Sequence, residues 1–143
     1  MYIKEGKPLF NLGRWISDSQ GNFSGAVFAE VDAKVMPEVM SKISNVTSPG
    51  GRVFMVNEKG ITVAHSDLSY ILGERDLSAL PPISNIKLKS GEIGVPTKYV
   101  NERGESVLGS AYPIILEPLD INLPEPYKIN WFLVVEELQD SPL

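Results

Sequence analysis

Cysteine is absent from the 143-residue chain, and histidine occurs once. The first absence excludes disulfides, zinc-thiolate centres and thiol nucleophiles together. The second leaves carboxylates as the only plentiful metal ligands. Asp18, Asp32, Asp67 and Asp76 are scattered without the regular spacing of a calcium loop, so no metal is expected. No run approaches the roughly 18–20 apolar residues of a spanning helix. The N-terminus also lacks the basic and apolar regions of a signal peptide. If the parent protein is membrane-bound, this stretch is expected to be an excised piece that meets the membrane only through flanking helices. Basic residues are in the minority, 13 Lys and Arg against 18 Asp and Glu, for a formal charge of −5. Nucleic acid and anionic lipid surfaces are therefore not expected partners.

What is present is ordinary for a globular domain: 43% apolar and 22% charged residues, in a chain long enough for one core. Short strands alternate with Gly, Asn and Pro punctuation, and internal repeats and low-complexity tracts are lacking. Gly13 to Asp18 and Phe23 to Val31 predict a hairpin around Ser19-Gln20-Gly21-Asn22. Asp32 can cap the helix that follows, with Pro37 in its first turn and Val35, Val39, Met40 and Ile43 as its buried stripe. That helix is expected to end by Asn45, and Thr47 to Gly51 reads as a linker.

A second hairpin, Arg52 to Asn57 and Ile61 to Ser66, turns through Glu58-Lys59-Gly60, where the glycine supplies a positive φ. Asp67 to Leu80 reads as helical, with Pro81-Pro82 as its stop. Three more strands are expected near Gly94 to Val100, Ser106 to Ile115 and Trp131 to Glu137. The prolines of Glu117 to Lys128 mark a surface loop before the last of them. This order predicts an α+β domain: a five-stranded antiparallel sheet with helices on one face, plus an N-terminal β-hairpin and linking helix. The expected divisions are 1–50 for hairpin and linking helix, 51–138 for the main module and 139–143 for a tail.

Few residues invite chemistry. His65, Ser66 and Asp67 are neighbours on a strand, so they point to opposite faces and cannot relay a proton among themselves. Gly91 to Lys98 has glycines and a lysine without phosphate-loop spacing. Glu136 and Glu137 read as solubilising neighbours on the terminal strand. No catalytic residue and no cofactor is expected. The layout implies a hollow between sheet and helices, and the residues that suit its lining are His65, Tyr70, Arg75, Tyr99 and Tyr112. Each has a plainer reading as well. His65 also suits a strand end that caps the next turn, the tyrosines suit core packing, and Arg75 suits surface pairing with Glu74 and Asp76. Trp131 reads as core.

Gly51 to Asp67, GRVFMVNEKGITVAHSD, followed by Leu72 to Ser78, LGERDLS, resembles the membrane-proximal module of double Cache sensor domains, which are PAS-like. Ser106 to Pro113, SVLGSAYP, and Trp131 to Glu136, WFLVVE, are similar to the family's final strands. Ile16 to Asp32, ISDSQGNFSGAVFAEVD, resembles the strand pair by which a distal module hands over to the proximal one. The resemblance implies an extracytoplasmic sensor domain of a bacterial membrane receptor, feeding a histidine kinase, a chemotaxis output or a nucleotide cyclase. It implies a small ligand such as an amino acid, carboxylate or amine, and a homodimeric parent. It also places Glu30 where amino-acid-binding distal modules often carry Asp. Two alternatives stand beside it: a cytosolic PAS-like dimerisation or interaction domain, and a small hydrolase resting only on Ser, His and Asp.

Overall fold

The computed structural model describes residues 2–47, 50–88, 93–114 and 131–139. The chain divides into two compact units, Met1–Val35 and Met36–Leu143. The first is a three-stranded antiparallel sheet in the order β1-β2-β3, made of β1 (Tyr2–Lys4), β2 (Lys7–Ser17) and β3 (Phe23–Asp32). Asp18 builds the predicted turn by accepting the Gln20 and Asn22 amides at 2.8 and 2.9 Å. The strand Tyr2–Lys4 was not foreseen. Leu9 and Ala33 are buried in this unit, whereas Trp15, Phe23, Val27 and Phe28 are exposed, Phe28 at 73%. The Glu30 carboxylate accepts the Tyr2 hydroxyl. A 3-10 turn, Ala33–Val35, closes the unit, with the Asp32 carboxylate accepting the Lys34 amide at 2.9 Å as expected of a cap.

The second unit carries α1 (Met36–Thr47), β4 (Arg52–Val56), β5 (Thr62–Ala64), α2 (Leu68–Leu72), α3 (Pro81–Leu88), β6 (Thr97–Val100), β7 (Ser106–Pro113) and β8 (Phe132–Leu138). Its five strands form one sheet in the order β5-β4-β8-β7-β6, antiparallel at every pairing. The α+β class and the five-stranded antiparallel layer are those expected. Alternation along the strands separates two faces. Phe54, Val56, Tyr99, Val107, Ala111 and Val134 meet Tyr70, Leu77, Leu80 and Ile83 from the α2–α3 region in one core cluster. On the other face Val53 and Ala64 meet Met40 of α1, with Met36, Met55, Leu133 and Val135 packed against them.

Two local expectations are corrected. The buried row of α1 is not Val35, Val39 and Ile43, all of which are exposed; it is Met40 and Ser44, with Met36 packed beside them. Residues four apart share a helix face, and Ser44 belongs inside because its hydroxyl joins helix to strand. It donates to the Met40 carbonyl at 2.8 Å and accepts the Val53 amide at 2.9 Å. The helix also runs on to Thr47 rather than ending at Asn45. Second, Pro81-Pro82 opens a helix instead of closing one, and α2 stops at Leu72. Proline suits the first helical turn, where an amide proton has no intrahelical use. The expected Pro-rich loop, Ile115 and the 139–143 tail beyond Gln139 lie outside the described residues.

Gly60 has φ +84°, as the hairpin turn requires, and a Cβ there would sit 2.6 Å from Cα of Ser78. The turn is pressed against the segment after α2, where the Leu77 amide donates to the Gly60 carbonyl at 2.8 Å. Gly109 has a different reason. A Cβ at this position would lie 2.4 Å from the Tyr99 hydroxyl oxygen and 2.8 Å from its ring, so glycine leaves the space that Tyr99 fills. Gly109→Ala is expected to destabilise the domain by about 1–3 kcal/mol through overpacking, measured by urea unfolding; a change under half of the lower bound would mean that Tyr99 moves freely.

Candidate functional site

Polar groups collect on the face covered by α2 and α3, at one end of the sheet. The antiparallel register puts Arg52 of β4 opposite Glu136 of β8, and Glu136 opposite Gly109 of β7. Arg52 is in phase with Phe54 and Val56, and Glu136 with Val134 and Phe132, so both charges point inward with the core. Glu136 is 0% exposed, which overturns its sequence reading as a solubilising surface acid. Burial of that carboxylate requires a partner. The Arg52 Nε donates to Glu136 Oε1 at 2.8 Å, and its guanidinium lies 4.6 Å above the Phe54 ring. Asn101 Nδ2 adds contacts to both Glu136 oxygens at 3.3–3.4 Å.

The other edge of the Arg52 guanidinium faces Glu102. Nη1 donates to Oε1, and Nη2 to Oε2 at 2.7 Å, a two-point pairing. The Tyr70 hydroxyl donates to the same Glu102 Oε1 at 3.0 Å. Burial alone would raise the Glu102 pKa, but the Arg52 hydrogen bonds and charge outweigh it and hold the carboxyl below its usual range. Burial would likewise lower the Arg52 pKa, and the two glutamates reverse that. Arg52, Asn101, Glu102 and Glu136 were all missed from sequence. Period-2 phase gave no signal, because β4 and β8 are apolar on both faces.

His65 is buried just beyond β5. Its ring stacks on Tyr70, with centroids 4.0 Å apart and planes 11° from parallel. Nδ1 accepts the Asp67 backbone amide at 2.9 Å, so the neutral ring carries its proton on Nε2. That nitrogen sits 3.4 Å from Arg52 Nη1, a contact of two donors and not a bond. Desolvation first, and the Arg52 charge second, lower the His65 pKa to about 4. Ser66 and Asp67 are exposed, so the three neighbours form no relay. Asp67 instead caps α2, accepting the Ser69 amide at 2.9 Å and its hydroxyl at 2.7 Å. Asp67→Ala is expected to cost about 1 kcal/mol, read by thermal or urea unfolding, and a variant as stable as the parent would remove the capping role.

The remaining expected residues divide. Tyr99 is buried against Gly109, its hydroxyl close to the Glu136 carboxylate. Burial, then the nearby Glu136 charge, push its pKa up. Arg75 is exposed and stacks its guanidinium 4.6 Å over the Tyr70 ring. Tyr112 is not brought together with the others. It alternates with the inward Ala111 onto the opposite face, exposed, where its ring lies over Gly94. Trp131 is half-buried immediately before β8. Thus His65, Tyr70 and Tyr99 adjoin the Arg52 cluster, Arg75 meets it only through the Tyr70 ring, and Tyr112 stands apart.

The sheet defines the class: the chain has the fold of the Cache-type ligand-binding domains of chemoreceptors and histidine kinases. The ligand-binding domain of the Pseudomonas aeruginosa PAO1 amino acid chemoreceptor PctC, solved with GABA, superposes at TM-score 0.56 with 14% identity over 96% of this chain and 53% of its own. The extracellular domain assigned to the histidine kinase mmHK1S-Z2 gives 0.55 and 24% over 94% and 48%. The periplasmic sensory domain of the Campylobacter jejuni chemoreceptor Tlp1 gives 0.58 and 13% over 90% and 42%. The chain therefore spans about half the length of these domains. By sequence it matches no protein-family model and no curated protein. Among the described residues no helix is long and apolar enough to cross a membrane.

Proposed function

We propose that the chain is the extracytoplasmic small-ligand sensor domain of a bacterial membrane signalling receptor, of the histidine-kinase, chemoreceptor or nucleotide-cyclase type. The observation that carries this reading is the β5-β4-β8-β7-β6 sheet with α2 and α3 on one face, held in common with extracellular and periplasmic receptor domains. Those solved domains also weigh against the cytosolic interaction domain as an alternative. On this reading the catalytic output lies in another part of the parent protein, the parent is a homodimer, and the membrane is met through flanking segments. The ligand is an amino acid, carboxylate or amine, in keeping with the GABA and L-serine complexes of structurally similar chemoreceptor domains.

The first unit fits the same reading as the handover strands of a second module. It leaves Phe28, Phe23 and Val27 exposed, and the similar domains are about twice as long. Tyr70 and Arg75 are the proposed ligand-facing residues, with His65 and Tyr99 behind them; Tyr112 stands apart from these four. A thermal-shift screen of amino acids, organic acids and amines tests the reading. A true ligand at one hundred times its Kd adds about 2.7 kcal/mol of stability. A panel in which no compound raises the melting temperature would remove direct sensing by this domain.

A further inference from the structure

The Arg52 guanidinium and the Tyr70 hydroxyl together hold one carboxylate, that of Glu102. The two pairings of Arg52 differ in kind. Glu136 comes from the middle of the sheet and is fully buried, so it is the fixed counter-ion. Glu102 comes from the β6–β7 turn, and its side chain is 15% exposed over an Arg52 that is only 5% exposed. Nη1 and Nη2 of Arg52 and the hydroxyl of Tyr70 all donate to the Glu102 carboxylate, which also takes a hydrogen bond from its own backbone amide. This is the two-point geometry that recognises a free carboxylate.

The turn is closed chiefly by groups other than the Glu102 side chain. Asn101 Oδ1 accepts the Arg103 and Glu105 amides at 3.0 Å each, the Gly104 amide donates to the Asn101 carbonyl at 3.0 Å, and Gly104 takes the positive φ of +76°. Glu102 can therefore leave without unmaking the backbone that carries it. Exchange for an external carboxylate conserves the charge around Arg52, and it releases Glu102 to water. Beside the exchange point the exposed Arg75 lies 4.6 Å over the buried Tyr70 ring, adding a cation there.

We propose that Glu102 is an internal competitor seated in a carboxylate-binding site made by Arg52 and Tyr70, and that small molecules bearing a carboxylate bind this domain by displacing it. The inference rests on the sensor reading and names the ligand chemistry and the anchoring residues for it. A tethered competitor acts as a high local concentration of carboxylate, so its removal is expected to tighten binding.

The test is a titration of the wild-type domain, Glu102→Ala and the near-isosteric Glu102→Gln with propionate, and with propionamide as the uncharged control, followed by the Arg52 Nε–H signal in NMR and by melting temperature. The expected result is a saturable response to propionate at Arg52 and Tyr70, roughly tenfold or more tighter in either Glu102 variant than in the wild type, with none to propionamide. Tyr70→Phe in the Glu102→Gln background is expected to weaken it again by roughly tenfold, as loss of a hydrogen bond to a charged group. Equal affinity with and without Glu102, or no shift at Arg52 in any protein, overturns the proposal; if Glu102→Ala does not fold, Glu102→Gln and the wild type decide it alone. Carboxylates or amino acids that bind with shifts confined to other residues sink this site and leave the sensor reading standing. A panel silent everywhere sinks both.

Discussion

Arg52→Met is expected to cost about 3–5 kcal/mol of folding stability, because it leaves the Glu136 carboxylate buried without its counter-ion. Glu136 is wholly enclosed, and the Asn101 Nδ2 contacts at 3.3–3.4 Å carry no charge to replace that of Arg52. Glu102 is less affected, since its side chain already reaches solvent and can turn outward. The loss is therefore that of one stranded charge. Urea unfolding at pH 7 measures it. The double variant Arg52→Met with Glu136→Leu separates a stranded charge from lost packing. Replacing a buried ion pair by apolar groups is often close to neutral, so most of the loss is expected to return. If the single substitution costs less than about 1 kcal/mol, water or another cation reaches Glu136 and the enclosure described above is wrong.

The second large effect is on pH dependence. His65 has a folded-state pKa of about 4, below the ordinary value near 6.5. As pH falls through 6.5 the unfolded chain takes up a proton that the folded protein refuses, so stability declines. The decline ends near pH 4, where both states are protonated, and it amounts to on the order of 3 kcal/mol. Two features oppose the folded proton: Nδ1 is already an acceptor for the Asp67 amide, and Arg52 lies against the other nitrogen. Glu102 and Asp67 work in a lower window. Their folded pKa values are depressed, so their contribution is present above the unfolded carboxylate value and is lost as pH falls through the folded one. Urea unfolding at pH 7, 6, 5 and 4.5 is expected to show the slope, and His65→Asn, which keeps an acceptor near Nδ1, is expected to flatten it. A wild-type curve as flat as that of the variant would mean that His65 titrates normally.

Much of the architecture was legible because turns write themselves locally. Asn57 with Gly60, and Asp18 with Gly21, each close a turn with side-chain or left-handed backbone chemistry that needs no tertiary information. The helices were less so. Pro81-Pro82 fits both a stop and a start, and only packing of Ile83 into the core decides it. The charged cluster was the least legible part. Glu136 precedes Glu137 in a terminal strand, which reads as surface, and nothing in a single chain announces that Arg52 lies opposite, 84 residues away. Register is a tertiary quantity. The aromatic residues show the same divide: Tyr70 and Tyr99 converge and Tyr112 does not, because one position along a strand exchanges the two faces.

The central pairing of β4 with β8 brings Gly50 alongside Leu138, so the segments leading into and out of the sheet adjoin at one corner. Tension that separates those two segments peels the antiparallel pair rung by rung instead of shearing it. The opposed Arg52 and Glu136 form the outermost rung of that ladder, which makes a pair of opposite charges the first thing a mechanical pull has to undo.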